Sequence, residues 1–312
     1  MRGGDSKMKK YAIGIDRGGT TTRIVIGDKN GFLTKPKIVP TSEKVETLIE
    51  LIKKEIKKAK IKPKEIKAIG IGTAGIVDLE KKELVVSANA SAISFKPIEK
   101  ELKIPVKLEN DCNTAVMGEK LYGEGKNIKN LIHITIGTGI GAGIYYQGRL
   151  LKSSKKGRAG EVGFLIIDCE GRCETFGKKG VWEAYCSGKN IPNFVRMLLK
   201  KEKRKTQLKE IKNLKAEDLF RLAKKGDKVA REYVDKIARL NAMGFGSIIN
   251  VFNPQLITVG GSVVLKNPEL LELIKKYIGE YIVNPMPEIK ITKLGSKIGL
   301  YGALALAFFK NI

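Results

Sequence analysis

Near residues 11–39 the chain reads strand, glycine- and threonine-rich turn, strand, turn, strand, and near residues 131–151 it reads the same again. In the first copy Tyr11-Ala-Ile-Gly-Ile-Asp16 is an apolar run typical of a central strand, and Arg17-Gly-Gly-Thr-Thr-Thr22 follows as a turn. Arg23 to Asp28 is a second strand, Lys29-Asn30-Gly31 a hairpin turn, and Phe32 to Val39 a third strand. In the second copy Leu131 to Ile136 is the strand, Gly137-Thr-Gly-Ile-Gly141 the turn and Ala142 to Tyr146 the return strand, after which Gln147-Gly148 turns into a short third. A supersecondary unit that recurs in this way points to two related lobes.

Strands alternate with helices elsewhere, which is the pattern of an α/β protein. Ser42 is placed to cap a helix running to about Lys60, with Val45, Leu48, Ile49, Ile52 and Ile56 on one face. Buried strands are expected at Ile66 to Gly72 and Val106 to Glu109, with a short helix opened by Pro97 between them and a helix from Asp111 to about Tyr122 after them. The second half carries helices over Asp227 to Phe252, Pro268 to Tyr281 and Ile298 to Lys310, with strands at Gln255 to Val259 and Ile289 to Thr292. The charge-dense Lys200 to Lys215 reads as a helix or helix connector with solvated faces. The division expected is a smaller N-terminal lobe, residues 1–120, with residues 298–312 packing back on it, and a larger lobe, residues 121–297.

Composition excludes several classes. Hydrophobic residues make up 42% of the 312, enough to build real cores, so the chain is not a disordered one. No apolar stretch approaches the ~18 residues of a membrane span, and no apolar segment with a small-residue cleavage site follows the polar Met1 to Lys10. Cys112, Cys169, Cys173 and Cys186 are too few for a disulfide scaffold in a chain of this length, and a cytoplasmic, reduced setting is expected. Lys and Arg number 59 against 33 Asp and Glu, a formal charge of +26. The basic residues lie along the whole chain, mostly Lys beside Glu on helical faces, which reads as the solvated surface favoured in thermophile proteins rather than as a polyanion site. The single histidine, His133, lies in an apolar strand and reads as a core residue rather than a general base.

The chemistry-bearing residues lie at turns. Gly18 and Gly19 allow the backbone to approach a phosphate with its N–H groups, Thr20 and Thr21 add hydroxyls, and Asp16 at the strand end can hold Mg²⁺, directly or through water. Gly137, Thr138 and Gly139 repeat the form in the second copy, and Gly260-Gly261 after a strand could meet the adenosine end of a nucleotide. Asp111, where a strand passes into a helix, could accept a proton from a hydroxyl or could simply cap the helix.

Gly14-Ile-Asp-x-Gly-Gly-Thr20, Gly72-Thr-Ala-Gly75-Ile-Val-Asp78, Glu109-Asn-Asp-Cys-Asn113-Thr-Ala, Gly137-Thr-Gly-Ile-Gly-Ala-Gly143, Gly157-x-Ala-Gly-Glu161-Val-Gly163, Val181-Trp-Glu183-Ala-Tyr-Cys-Ser187-Gly and the final Gly302-Ala-Leu-Ala-Leu-Ala resemble, in order and spacing, the ROK family of repressors, open reading frames and sugar kinases. The resemblance covers about residues 10–309. It implies the two-lobed actin-like ATPase, or ribonuclease H-like, fold, with duplicated βββαβαβα units around a cleft. It also implies ATP and Mg²⁺, a small-molecule sugar as the other substrate, and a homo-oligomer, dimer or tetramer. By resemblance Asp111 is the general base, while Gly75, Asn89, Asn110, Glu161 and Glu183 contact the sugar. Gly18, Gly19, Thr20, Thr21, Gly137, Thr138, Gly139, Gly260 and Gly261 then hold ATP.

The departures are as informative. ROK kinases commonly bind a structural zinc through Glu-x-Gly-His and Cys-x-Cys-Gly-x-x-Gly-Cys. Here the histidine position is Phe164 and the cysteine positions are Glu174, Phe176 and Val181, with Gly177 and Gly180 retained and Cys173 one residue off. Zinc needs four good ligands, so none is expected. The usual proline of the Gly75 turn is Ala74. The leading expectation is a glucokinase- or hexokinase-type enzyme phosphorylating a glucose-like hexose at the 6-hydroxyl. An amino-sugar or N-acetyl-amino-sugar kinase is the second, Phe164 offering either a wall for an acetyl methyl or filling for the lost zinc knuckle. A sugar-sensing regulator is disfavoured, because about ten residues before the first strand leave no room for a helix-turn-helix domain. No specific nucleic acid and no membrane partner are expected.

Overall fold

The computed structural model describes residues 9–86, 92–152 and 159–309. In chain order the first half comprises β1 (Tyr11–Arg17), β2 (Thr21–Asp28), β3 (Gly31–Phe32), β4 (Lys37–Pro40), α1 (Val45–Lys58), β5 (Ile66–Thr73), β6 (Ile76–Asp78), β7 (Glu83–Val86), β8 (Ile93–Ser94), α2 (Lys96–Leu102), β9 (Val106–Asn110) and α3 (Asp111–Tyr122). The second comprises β10 (Leu131–Ile136), β11 (Ile140–Tyr146), β12 (Arg149–Leu150), β13 (Glu174–Thr175), β14 (Lys178–Lys179), α4 (Glu183–Cys186), α5 (Ile191–Leu199) and α6 (Ala216–Lys224). It closes with α7 (Lys228–Phe252), β15 (Leu256–Gly260), α8 (Ser262–Lys266), α9 (Glu269–Ile278), β16 (Glu288–Ile291) and α10 (Ile298–Phe308).

The duplication read from the turns is present in the sheets. One sheet runs β3-β2-β1-β5-β9 with β4 paired to β2, and the other runs β12-β11-β10-β15-β16, the same order of elements. In both, the first strand continues into two parallel strands reached through helical crossovers. The chain separates into two compact units, Met1–Ile128 with Gly143–Ala159 and Lys297–Ile312, and Lys129–Ala142 with Gly160–Ser296.

In the first unit, alternation along β1 sends Ile13 and Ile15 to one face and Ala12 and Gly14 to the other. The isoleucine face is covered by Leu48, Ile49, Ile52 and Ile56 of α1 and Ile98 of α2. On the opposite face Ala12 and Ala68 pack with Leu304, Ala307 and Phe308 of α10. This approach is very close: a Cβ at Gly70 would lie 1.9 Å from the Ala303 carbonyl oxygen, and one at Gly302 would lie 2.0 Å from that of Thr114. Glycine is therefore a packing requirement here, letting α10 seat directly on β5 and α3.

Two local expectations are corrected, and one element is new. The third strand breaks into β3 and β4, because Leu33 and Thr34 both donate back to the Ile26 carbonyl and Pro36 has no N–H to continue the ladder. Ser42 does not cap α1: the helix starts at Val45, and the Ser42 hydroxyl instead accepts from the Lys44 N–H. The β6–β7–β8 hairpin was not foreseen; it sinks Val77, Leu84 and Ile93 into the α1-side core. The Lys200–Lys215 stretch is a connector with one turn of 3-10 helix, Gln207–Glu210, tied down by Arg204 on Glu202 and Glu232.

Candidate active site

Within the first unit three strand ends carry the expected chemistry. Asp16 is the penultimate residue of β1, and its register neighbour on β5 is Gly72, itself opposite Glu109 of β9. Asp111 is the first helical residue after β9. The capping alternative for Asp111 resolves in favour of its neighbour. The Asn110 side chain accepts from the Cys112 N–H at 2.9 Å as the cap of α3, while Asp111 Oδ1 lies 3.0 Å from the same N–H. The Asn110 amide also donates to the Gly75 carbonyl at 3.2 Å. Asn110 is thus a buried tie between the α3 start and the Gly75 turn, where φ of +124° requires glycine. Beneath it, Glu109 accepts from the Asn110 N–H and the Asn113 amide, and burial pushes its carboxyl up from the ordinary value. Asn89 lies outside the described residues.

The first glycine turn is braced by Thr41, the residue after β4. The Gly18 N–H donates to the Thr21 carbonyl, the Thr41 hydroxyl donates to the Gly18 carbonyl at 2.8 Å, and the Thr41 N–H donates to the Thr20 carbonyl. Thr20 and Thr21 are left exposed at its tip.

In the second unit the Gly137 turn, the Gly260-Gly261 turn and both expected sugar-binding glutamates converge. Gly137 lies 3.7 Å, measured from its Cβ position, from the Ser262 nitrogen at the start of α8. At Gly261, φ is +90° and a Cβ would sit 2.4 Å from the Ile136 carbonyl, so only glycine fits the turn. The Gly137 and Thr138 carbonyls accept from Gly188 and Lys189, leaving the Thr138 side chain exposed. Glu183, 8% exposed, accepts from the Ile140 N–H at 2.8 Å, and its Oε2 would be 2.6 Å from a Cβ at Gly139. A Cβ at Gly163 would lie 2.3 Å from the Ile140 carbonyl, so the segment that carries Glu161 packs on the same residue. Glu183 therefore braces the second glycine turn from behind, a role the sequence did not show. His133 is fully buried within β10, bonded through Nδ1 to the Thr258 hydroxyl, and burial pushes its pKa down to about 3.

The residues at the zinc-ligand positions do not fit zinc. Phe164 and Phe176 form a tilted ring pair with centroids 6.4 Å apart, and among the described residues no three His, Cys, Asp or Glu converge to hold a metal. Asp168 organises this loop instead. Its buried carboxylate accepts from the Tyr185 hydroxyl at 2.5 Å, the Arg172 Nε at 2.8 Å and the Glu170 N–H at 3.1 Å, while Tyr185 accepts from the Cys173 N–H. The Arg172 bond holds the Asp168 pKa down to about 2. A carboxylate depressed in the fold contributes stability above its unfolded value of 3.8 and loses it as pH falls toward 2. Asp168→Asn should lower the melting temperature at pH 7 and flatten its acid dependence below pH 4, whereas a chelator should leave the wild-type melting temperature unchanged. A chelator-induced drop with zinc by elemental analysis would overturn this.

Asp16 is the electrostatic centre of the candidate residues in the first unit. Burial, and secondarily the charge of Asp111, push its pKa up to about 6, against the opposing pull of Arg23, whose Nη1 is 3.8 Å away. Its carboxylate rests on Gly299, where a Cβ would be 2.6 Å from Oδ2. Asp16 and Asp111 thus lie in one electrostatic field, which Arg23 offsets only in part. Because the folded pKa exceeds the ordinary 3.8, ionising Asp16 costs stability as pH rises through about 6. Asp16→Asn should therefore raise the melting temperature at pH 8 but not at pH 4. An equal shift at both would show that the carboxylate is not strained.

The repeated strand order, each copy with a glycine turn at the end of its first strand, defines the actin-like ATPase class of two-lobed α/β proteins. Within it the ROK family model matches residues 12–309, and the chain belongs to the ROK family. It is similar to the glucokinase of Pyrobaculum calidifontis, 31% identical over 308 residues, 96% of this chain and 96% of that protein. It is also similar to the xylose repressor of Caldicellulosiruptor bescii, 27% identical over 94% of this chain and 77% of that protein. Among solved structures, the ROK hexokinase from Thermus thermophilus matches with a TM-score of 0.82 at 28% identity, covering 96% of this chain and 98% of that one. A ROK family glucokinase from Streptomyces griseus, in complex with glucose and AMPPNP, matches with a TM-score of 0.75 at 27% identity over 95% and 98%. No helix among the described residues is long and apolar enough to cross a membrane.

Proposed function

We propose that this protein is an ATP-dependent hexose kinase that phosphorylates a glucose-like sugar at its 6-hydroxyl, with Asp111 as general base. The observation that carries the reading is the arrangement at the start of α3: Asn110 is the cap and the tie to Gly75, and Asp111, which shares the Cys112 N–H, lies in the field of Asp16 at the end of β1, one strand beyond β5. A sugar hydroxyl is a poor nucleophile, so a positioned carboxylate that takes its proton is what phosphoryl transfer asks of the protein. Asp16 is the residue that would hold Mg²⁺ on the phosphates, and the metal supplies neutralisation of charge on the transferred group. The turns Gly18 to Thr21 and Gly137 to Gly139, closed by the Gly18 and Gly137 N–H groups bonding within them, offer the exposed hydroxyls of Thr20, Thr21 and Thr138 to phosphate oxygens, and Gly260-Gly261 suits the nucleoside end. Glu161 and Glu183 are carboxylate acceptors for ring hydroxyls, and Gly75 shapes the turn that Asn110 ties to the start of α3.

The similarity to glucokinases and to a glucose- and AMPPNP-bound relative supports this reading. The Phe164–Phe176 pairing supports a packing role for Phe164 over an acetyl-binding one. The test is coupled ADP release with Mg·ATP against glucose, mannose, fructose, glucosamine and the two N-acetyl hexosamines. Glucose is expected to give the highest kcat/KM; a preference for an N-acetyl hexosamine would install the amino-sugar reading. Absence of turnover, together with a sugar-responsive, sequence-specific DNA complex stable at about 200 mM salt, would install the regulator. We further propose a cytoplasmic homo-oligomer, which sedimentation of the purified protein tests.

A further inference from the structure

Alternation along β1 sends Asp16 toward α10 and Arg17 to the opposite face, where a cavity of about 450 Å³ lies between β1, the β4–α1 connection and α1. Among the described residues Arg17 is the one charged residue in its wall; Leu48, Leu51 and Ile93 supply apolar surface, and Thr47 stands at the exposed side. Arg17 is 2% exposed. Its Nη2 donates to the Ser42 carbonyl at 3.1 Å, but its Nη1 has no hydrogen-bond partner among the described residues. Thr73, its register neighbour on β5, is also buried with an unpartnered hydroxyl. The exposed Glu43 lies within electrostatic range and favours the charged guanidinium, while burial opposes it.

A buried cation with an open N–H is costly to maintain, and the cost is relieved by an anionic acceptor. One guanidinium balances one negative charge; a dianion would leave buried charge uncompensated. The size of the cavity falls in the range of small-molecule sites, and its apolar walls ask for an apolar body. We propose that this cavity binds a small monocarboxylate with an apolar tail, the carboxylate on Arg17 and the tail against Leu48, Leu51 and Ile93. The site is separate from the proposed kinase chemistry and does not rest on it.

Octanoate, octan-1-ol and inorganic phosphate are the probes, titrated calorimetrically into the wild-type protein without sugar or ATP. Octanoate is expected to bind saturably, and the alcohol and phosphate at least about tenfold more weakly, the effect of losing one charge-assisted hydrogen bond or the apolar contact. Arg17→Met should weaken octanoate by about the same factor. Thr47→Phe, which fills the cavity from its exposed side, should abolish octanoate binding while sugar phosphorylation and the melting temperature stay unchanged. Failure of the wild type to bind octanoate would overturn the proposal, as would equal binding of octan-1-ol or phosphate, or undiminished binding in Thr47→Phe. These readouts hold even if Arg17→Met does not fold.

Discussion

Asp111→Asn is expected to lower kcat for sugar phosphorylation by about 10²–10⁴-fold, the range for loss of a positioned general base. The substitution is nearly isosteric: Asn110 still accepts from the Cys112 N–H, which it shares with Asp111 Oδ1, an asparagine at 111 keeps an acceptor oxygen there, and the Gly75 tie does not involve Asp111. The fold and the melting temperature should therefore persist, and the KM values for sugar and ATP should change little. Such a split between kcat and KM is what an interaction made only in the transition state produces. Asn110→Ala gives the contrasting pattern: it removes the cap and the Gly75 tie, so stability should fall by about 1–2 kcal/mol. Near-normal turnover by Asp111→Asn in the coupled assay would remove this residue from the mechanism.

Gly70→Val is expected to cost about 3 kcal/mol or more, the upper end for overpacking a close-packed site. The added Cβ alone would overlap the Ala303 carbonyl oxygen, a backbone atom of a helix seated on β5 that has no rotamer by which to give way. For a unit of this size each kcal/mol is about 2–4 °C, so the melting temperature should fall by about 6–12 °C or more. Because α10 also carries Gly299 against the Asp16 carboxylate, turnover should fall with stability. Gly279→Ala is the control: nothing lies within 4 Å of its Cβ position and its φ of −57° suits any residue, so it should be neutral or slightly stabilising. Thermal melts that left Gly70→Val within 2 °C of wild type would show that α10 does not seat as described.

Where an element is long and periodic, its local pattern specified it. Helix α7 begins at the residue after Asp227, whose side chain accepts from the Ala230 N–H, and it ends at Asn253 in the left-handed region, both capping features being local in sequence. Helix α3 starts at Asp111 for the same kind of reason, its Asn110 cap accepting from the Cys112 N–H, and the chain leaves the helix at Gly123 in extended backbone. The recurrence of strand and glycine turn was likewise written in the chain, because two equal sheets need two equal sets of apolar runs, and the observed strand order repeats accordingly.

The short pieces were not legible in this way. Strands β6, β7 and β8 hold two to four residues each, too few for any period to rise above chance, and they exist because Leu84 and Ile93 are buried against α1 and α2. The residues of the candidate site were picked out by type and motif, but several of their interactions come from partners distant in sequence. Glu183 meets the Ile140 N–H across 43 residues, Asn110 meets Gly75 across 35, and Asp16 rests on Gly299 only because α10 returns to the sheet at the end of the chain. Arg17 was one letter inside a phosphate-loop motif until the twist of alternate residues placed it on the other face, and Asp168 had no motif at all. A sequence determines which groups are available and which local conformations are cheap. Which of those groups lose water together, and therefore which carboxyl is raised toward 6 and which is lowered toward 2, is decided by tertiary burial.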